Sequence, residues 1–466
     1  MKRLQPAGET SDRRVDILIE AELVDSLGPS LNTMASDLLA EGYQVSLLSV
    51  SGSSPESLRS FLRAEYDSGL VHAVFVGELP VAWFQIINDF QGNGSNDGYE
   101  EFPCDLYFMD LDGTWRDDSL RYSNQDSLVP GSDGIYDVHV DSVAPEIGIS
   151  RLHASTLGDE VSLLRGYLDK AHRYRAGRLV VSDRALVYID DDWYDSAPRW
   201  DRDVGYLYPD RVSIWDPEST RAADYRPRVD SAGYEWLQLC AHSSPAVHAW
   251  KYNSGQSWDR FYATEIGVVD PEACFYNLFC CSNVRYVTAG YMGGRYVFET
   301  TKGLAAIGSC KTGSMLEFGQ FYRPLSTGRS LSSAFTDWFR YRAQDGFERW
   351  ERSWFYGMAL IGDGLLRPRL NPTGMREFGE PTPAPKLAVS SPMSARLSFR
   401  LTAIEAGPIT VSLADRSGRV VFSRGQALSK GTHLIQADVQ GLPAGVYLLS
   451  VDSQSGRLDR PVVVLR

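Results

Sequence analysis

Long apolar runs are missing from this chain of 466 residues. A helix that spans a bilayer needs roughly 18 or more consecutive apolar residues, so none is expected. Clusters of Lys and Arg are also missing, and the formal net charge is −14. Nucleic acids and anionic membranes reward clustered basic side chains, so neither is an expected partner. The N-terminal segment MKRLQPAGETSDRR has no apolar stretch, which predicts either a cytoplasmic protein or one whose leader peptide is absent from this chain.

Cysteine is scarce, with six residues and no CxxC pair. This number is too small for a disulfide scaffold, and the spacing does not fit an ordinary zinc site. The rest of the composition is globular, since 43% of the residues are hydrophobic and can fill a sizeable core. Cysteine and histidine cluster in the middle of the chain, where Cys240 precedes His242 and Cys280 adjoins Cys281.

Strand-like and helix-like segments alternate along most of the chain. The apolar runs DILIEAELV, YQVSLLSV and AVFVGELP predict strands, with helical spacing between them. A second series continues from RALVYIDDDW through YEWLQLCAHSS and CFYNLFCCSN to GLAAIGSCKTGSM. This pattern predicts a largely parallel α/β sheet with functional loops at the carboxyl ends of its strands. We therefore expect an N-terminal α/β subdomain at 15–176 and a second α/β subdomain at 177–378.

The pattern changes after the Pro-rich segment GEPTPAPK, which predicts a linker at 379–386. From 387 to 466, apolar and polar residues alternate in short segments such as ITVSLADRSGRVVF and GVYLLSVDSQSG. Alternation with a period of two predicts a small, immunoglobulin-like antiparallel β-sandwich.

Two strand ends in the second α/β series carry reactive side chains. His242 follows the apolar segment WLQLCA, and Cys281 ends the segment CFYNLFCC. Neighbouring parallel strands place such residues above one edge of a sheet, where a histidine can take the proton of a thiol. By strand alternation Cys280 should point into the core, and His248 is a second candidate for the base. Both residue types also have a purely structural interpretation, because a strand cysteine is usually a small buried hydrophobe.

A catalytic base needs a partner that holds its tautomer, and three consecutive acids follow the strand ALVYI. One of Asp190, Asp191 and Asp192 could be this partner, and Asp191 and Asp192 are the two that we assign to the candidate site. The same triplet also fits a solvated loop or a calcium site.

Residues 95 to 150 are rich in Asp, Gly, Ser and Asn, and the segments DLDGTWRDD and GSDGIYDVHVD within this range predict an acidic loop. Its carboxylates resemble a run of hard oxygen ligands for calcium, although the loop is not an EF-hand. A plain acidic surface loop explains the segment equally well. The candidate ligands are Asp110, Asp112, Asp117, Asp118, Asp133 and Asp137.

Residues 15 to 370 resemble the gingipain-type cysteine peptidases, through AVFVGELPVAWFQI, CDLYFMDLDGTW, PEIGISRL, LQLCAHSS, YNLFCCSN and GLAAIGSCKTGSML. The resemblance implies a caspase-like core of two α/β/α subdomains and an endopeptidase that cleaves peptide bonds with Cys281 and His242, without a cofactor for the chemistry. The usual Gly-His-Gly of the family is Ala-His-Ser at 241–243. That departure leaves room for an inactive caspase-like binding module at the cell surface.

The resemblance also implies roles for two groups of acids. A carboxylate after the strand that precedes the histidine corresponds to the triplet at 190–192. An acid that binds a basic P1 side chain corresponds to Asp201 or Asp203, although Arg202 between them would partly neutralise the pocket.

The segments ADRSGRVV and LPAGVYLLSV resemble the C-terminal sorting domains of type IX secretion substrates and related immunoglobulin-like modules. This resemblance implies a secreted or surface-exposed protein with the secretion machinery as a partner. A plain adhesion or spacer module is the alternative.

Overall fold

The computed structural model describes residues 1–5, 13–231, 233–369, 386–389, 396–403, 406–415, 419–439, 441–443, 445–453 and 456–464. The chain divides into two compact units, Met1–Met375 and Arg376–Arg466. Each unit has a hydrophobic core of its own. No helix within the described ranges has the length and apolar character needed to cross a membrane.

The strands of the first unit differ widely in length. In chain order they are β1 (Lys2–Gln5), β2 (Arg14–Glu20), β3 (Gln44–Val50), β4 (Leu70–Val76), β5 (Trp83–Ile87), β6 (Tyr99–Pro103), β7 (Thr114–Arg116), β8 (Ser119–Arg121), β9 (Leu128–Pro130), β10 (Val138–Val140), β11 (Gly148–Leu152), β12 (Ala185–Ile189), β13 (Arg211–Ile214), β14 (Tyr234–Cys240), β15 (His242–Ser244), β16 (Val247–Tyr252), β17 (Ser257–Tyr262), β18 (Ala273–Phe279), β19 (Ala305–Ser309) and β20 (Met358–Gly362).

The helices of the first unit lie mostly between these strands. They are α1 (Val24–Ala40), α2 (Pro55–Tyr66), α3 (Leu106–Met109), α4 (Glu160–Arg175), α5 (Ala197–Val204), α6 (Ala222–Ser231), α7 (Ala263–Val269), α8 (Met292–Gly294), α9 (Gly319–Ser326), α10 (Leu331–Arg342) and α11 (Arg349–Phe355). Short 3-10 turns follow β2 at Ala21–Leu23 and β12 at Asp191–Ser196.

One sheet of eleven strands passes through the whole first unit, in the order β1-β3-β2-β4-β11-β20-β19-β18-β14-β12-β13. Two blocks of parallel strands form most of it, β2-β3-β4-β11 and β12-β13-β14-β18-β19. Both blocks have the same strand order. In the first block β2 lies between β3 and β4, and β11 is next to β4; in the second block β12 lies between β13 and β14, and β18 is next to β14. Such an order creates a crevice between the first and third strands, at their carboxyl ends. The α/β prediction is therefore confirmed, and the same crevice occurs twice.

The sheet has features that the sequence did not indicate. β20 pairs with β19 in antiparallel fashion and lies between the two blocks, and β1 is antiparallel to β3. The acidic segments DLDGTWRDD and GSDGIYDVHVD, expected as a loop, contain β7 and β10, which pair with each other. Each of these two strands has only three residues, which is too short for a visible alternation. The expected subdomain boundary after 176 falls just past α4, within the first unit.

The second unit consists of antiparallel strands in two sheets, β21-β22-β25 and β24-β23-β26-β27. Alternate residues of β23, namely Ile409, Val411 and Leu413, are buried in the core, as expected for a sandwich-like unit. The predicted linker 379–386 lies outside the described residues except for Lys386. The strands are β21 (Lys386–Val389), β22 (Arg396–Ala403), β23 (Gly407–Ala414), β24 (Val420–Leu428), β25 (Gly431–Asp438), β26 (Gly445–Ser453) and β27 (Gly456–Val464).

Candidate active site

The register of two neighbouring strands brings the predicted pair of reactive residues to one edge of the sheet. Cys240 at the end of β14 is paired with Phe279 at the end of β18. The Ala241 N–H extends this pairing with a 3.2 Å hydrogen bond to the Phe279 carbonyl. His242 and Cys281 each lie two residues beyond the last pair, so they follow adjacent parallel strands at equivalent positions.

His242 is held between aromatic rings and a carboxylate. Its ring centroid lies 4.9 Å from that of Trp193 and 5.1 Å from that of Trp258. Its Nε2 lies 2.6 Å from Asp192 Oδ2, and its side chain is 34% exposed. No described residue makes a hydrogen bond with Nδ1, which leaves this nitrogen for a thiol or a substrate.

The three acids after β12 have separate positions. Asp192 accepts hydrogen bonds from both His242 and Lys251, whose Nζ is 2.5 Å away. Partial burial opposes ionisation of Asp192, but the bonds from Lys251 and His242 outweigh it and keep the pKa below its usual value. Asp190 is buried, its Oδ2 lies 3.9 Å from His242 Nε2, and burial raises its pKa. Asp191 makes no hydrogen bond to His242, so of the three acids Asp192 is the one in direct contact with this histidine.

Cys281 is the one cysteine of the six that is not fully buried, and all six are free thiols. The pKa of Cys281 is raised, chiefly because its sulfur is buried and secondly because the Glu100 carboxylate is near. A hydrogen bond from the Gly313 backbone and the charge of Lys311 act in the opposite direction but do not outweigh burial. The next residue, Ser282, has a left-handed backbone with φ of 53°, and its N–H donates to the Lys311 carbonyl at 2.8 Å. The turn that presents the thiol is thus fixed to the loop after β19.

A buried ion pair fastens this loop to the β5–β6 hairpin. Lys311 Nζ lies 3.0 Å from Glu100 Oε2, and the Lys311 side chain is fully buried. The same carboxylate accepts a 3.0 Å hydrogen bond from the Thr312 N–H. Lys311 Nζ also donates a 2.6 Å hydrogen bond to the Ser353 carbonyl, so the ion pair and this bond together hold the loop beside Cys281.

The alternative cysteine and histidine are both buried. Cys280 lies in the core with its Sγ 3.8 Å from the Leu239 carbonyl, which confirms its predicted direction. His248 is hydrogen-bonded through Nδ1 to Ser243 Oγ, and burial lowers its pKa to about 3. His248 alternates with Lys251 across β16 and shares its buried face with Trp250. Geometry therefore favours His242 as the base.

The two acids expected to bind a basic substrate side chain lie on α5. Arg211 donates two 2.7 Å hydrogen bonds to the Asp201 carboxylate, and Ser213 donates a third. The charge of Asp201 is therefore already neutralised within the protein. Asp203 has no ion-pair partner among the described residues, and burial raises its pKa to about 6. Trp200 of the same helix packs 4.9 Å from Phe279, which places α5 beside the end of β18.

A separate cluster of carboxylates only partly matches the predicted calcium ligands. Asp110, Asp112 and Glu146 have ligand oxygens within 4.8 Å of one another. Asp110 is buried and also hydrogen-bonded to His139 and to the Gly113 N–H. Burial and then the nearby charges of Asp110 and Asp112 raise the pKa of Glu146. A divalent cation would relieve this repulsion with oxygen ligands of the preferred type.

The remaining predicted ligands do not join this cluster. Asp117 accepts hydrogen bonds from the N–H groups of Asp133 and Gly134, and Asp137 accepts one from the Asp118 N–H. Asp133 in turn accepts from Gln85 Nε2 at 3.1 Å. These carboxylates stabilise turns because each faces backbone or amide donors.

Several site residues were not predicted from the sequence. Lys251, Trp193 and Trp258 surround His242, Glu146 completes the acidic cluster, and Glu100 reaches the loop beside Cys281. The alternation of VHAWKY could have separated buried His248 from accessible Lys251. Nothing in the spacing could have indicated Glu146 or Glu100, because their contacts cross between distant segments.

Comparison with known proteins identifies the second unit. Residues 391–465 match the family model of the secretion system C-terminal sorting domain. No curated protein matches the chain in sequence.

Solved structures give weak likenesses. A CARDB domain from Pyrococcus furiosus in complex with di-metal ions is 11% identical, with 20% of this chain and 98% of that chain covered and a TM-score of 0.14. A beta-glucosidase from Listeria innocua is 10% identical, with 65% and 49% covered and a TM-score of 0.15. Scores of this size support no shared fold and no function. The finding that stands is the C-terminal match: the chain carries a type IX secretion sorting domain in its second unit.

Proposed function

We propose that the protein is a cysteine endopeptidase with Cys281 as nucleophile and His242 as general base. The observation that carries this proposal is the register of β14 and β18, which puts both residues two positions beyond one strand pair. Asp192 supports it by holding Nε2 of His242, so that Nδ1 remains for proton transfer. The partial exposure of Cys281 among five buried cysteines supports it further.

The proposed reaction follows from these positions. His242 takes the proton of Cys281 as the sulfur attacks the peptide carbonyl, and a C–S bond forms. The backbone N–H groups of Cys281 and Gly313 are the proposed donors for the oxyanion, because the Ser282 N–H is already bonded to the Lys311 carbonyl. The C–N bond then breaks, and His242 returns the proton to the leaving amine. Water attacks the thioester next, releases the acid and regenerates the thiol.

Replacement of the nucleophile tests the proposal. Cys281→Ala should abolish peptide cleavage and labelling by peptidyl acyloxymethyl ketones, whereas Cys280→Ala, the adjacent buried cysteine, should retain both. Thermal melting would show that each variant folds. Cleavage by folded Cys281→Ala, or equal loss of labelling in both variants, would contradict the assignment.

A binding module without catalysis is the second candidate. Burial and the nearby Glu100 carboxylate raise the pKa of Cys281, which disfavours the reactive thiolate. A library of peptide substrates with varied P1 residues separates the candidates: retained binding without cleavage supports the module. If cleavage occurs and prefers Arg or Lys at P1, Asp203 is the acid that we propose for the pocket.

The finer fold and surroundings are also proposals. The repeated strand order and the two crevices support a caspase-like core. The cluster of Asp110, Asp112 and Glu146 supports a structural calcium site rather than a catalytic one, because it contains neither Cys281 nor His242. The sorting domain in the second unit indicates export to the cell surface or secretion, with the secretion machinery as the proposed partner.

A further inference from the structure

The first block of the sheet has a crevice that corresponds to the one holding His242. Glu78 lies two residues beyond the end of β4, as His242 does beyond β14. The Gly77 N–H donates to the Leu152 carbonyl at 3.0 Å, which repeats the Ala241 bond. By this correspondence Ala154 occupies the position of Cys281. The crevice therefore has no nucleophile there, and it has an acid in place of the base.

This crevice opens into a cavity of about 510 Å³, a size within the usual range for small ligands. Its carboxylates come from Glu20, Glu22 and Glu78. Gly77 adopts a φ of 87°, and a side chain there would collide with Glu20, so glycine allows the Glu78 N–H to reach Glu20 at 2.8 Å. No Lys or Arg side chain lines the cavity within the described part of the chain.

A buried imidazole gives this cavity a second recognition element. His153 lines it with only 5% of its surface exposed, and its Nδ1 has no hydrogen-bond partner among the described residues. Burial and then the neighbouring Arg151 lower the pKa of His153 to about 4, so the ring is neutral and offers a lone pair. An unpaired buried nitrogen costs free energy that a ligand donor would recover.

The electrostatics around the cavity favour a cation. Burial and then the charges of Glu20 and Glu78 raise the pKa of Glu160 to about 7. No described residue forms an ion pair with any of the four carboxylates around the cavity, namely Glu20, Glu22, Glu78 and Glu160. A bare metal ion fits less well, because within the described residues the metal-like grouping of carboxylates is the one at Asp110. Apolar walls from Val50, Leu79 and Val287 suit an aliphatic chain.

We propose that this cavity binds a guanidinium or ammonium group carried on an aliphatic stem, as in arginine, lysine or a diamine. The carboxylates of Glu22 and Glu78 hold the charged head, and His153 Nδ1 accepts a hydrogen bond from it. The stem lies along the apolar wall. This site is separate from Cys281 and His242 and does not depend on peptidase activity.

Calorimetry on the full chain tests the proposal with matched ligands. Nα-acetyl-arginine amide should bind saturably at a ratio of one, whereas the neutral Nα-acetyl-citrulline amide should bind at least about tenfold more weakly, because the charge-assisted bonds are lost. Agmatine has the same guanidinium group and aliphatic stem but no peptide group. Tighter binding of agmatine than of the arginine amide would indicate a free amine as the ligand, and the reverse order would indicate an arginine side chain in a peptide. Equal binding of the citrulline and arginine amides would overturn the proposal.

Matched variants locate the site. Glu78→Gln and Glu22→Gln should each weaken the arginine amide about tenfold or more, and Asp345→Asn, which removes one exposed charge elsewhere, should leave it unchanged. Asp203→Asn tests whether the arginine amide binds at the candidate active site instead of in this cavity. Loss of binding in Asp203→Asn together with full binding in folded Glu78→Gln would overturn the proposal, as would calcium binding in place of the arginine amide.

Discussion

Asp192 and its two neighbours show how much one residue position decides. The three acids have the same chemistry in the sequence, but only Asp192 is hydrogen-bonded to His242, while Asp190 is buried behind it. The turn Asp191–Ser196 after β12 creates the difference, because it points successive side chains in different directions.

In the proposed peptidase, replacing Asp192 should therefore lower the rate of cleavage more than replacing Asp191. Asp192→Asn should lower kcat/KM by roughly 10²-fold, since His242 loses the charge that stabilises its protonated form. Asp191→Asn is the matched control and should change kcat/KM less than about threefold. The hydrogen bonds from Lys251 and His242 lower the pKa of Asp192, so this carboxylate should be protonated only below the usual range for aspartate. Activity should fall at that acid pH. Equal losses in both variants would remove Asp192 from its proposed role.

The raised pKa of Cys281 makes a prediction about its reactivity. The resting thiol should be protonated at neutral pH, so alkylation by iodoacetamide should accelerate as pH rises, with a midpoint above that of free cysteine. The rate constant is measured by mass spectrometry of the peptide that contains Cys281. Rapid alkylation near pH 6 would instead indicate a thiolate paired with protonated His242.

At the scale of elements, the loop between α3 and β7 is organised around carboxylates. Asp110 ends the α3 turn, Asp112 follows it, and Glu146 comes from the segment before β11. Three acids this close repel one another unless a cation or a proton is present.

Calcium should consequently stabilise the first unit. One millimolar calcium should raise the melting temperature of the native chain and of Asp118→Asn, a control in the turn after β7 that lies outside the cluster, but not of Glu146→Gln. The gain at 100 times the dissociation constant is about 2.7 kcal/mol in unfolding free energy. A chelator should reverse it. An equal shift in all three proteins would mean that calcium acts elsewhere.

On the scale of the whole molecule, the two units have separate cores. A chain that ends at Met375 should keep the melting temperature of the first unit, because the large sheet lies entirely within it. The same truncation should abolish export, since the sorting domain at 391–465 is removed. Cell fractionation with an antibody to the first unit measures the export of the full chain and of the chain that ends at Met375. Export of the truncated chain would show that the signal lies elsewhere.

The sequence predicted those parts of the molecule that depend on local pattern. Buried runs such as ALVYI and CFYNLF indicated β12 and β18, and the residues that follow indicated His242 and Cys281. It could not predict that β20 lies between the blocks, because an apolar run does not reveal its neighbours. Asp201 shows the same limit: its partner Arg211 is ten residues away, and only the fold shows that its charge is neutralised.

The position of β20 has a consequence for the order of folding. This strand comes late in the first unit, yet it fills the place between β11 and β19. During synthesis the first block can form while its β11 edge remains open, and the second block can form beside it with β19 equally open. An unpaired edge invites pairing with other chains. The nascent protein is therefore prone to aggregation until residue 362 has left the ribosome and β20 has paired between β11 and β19.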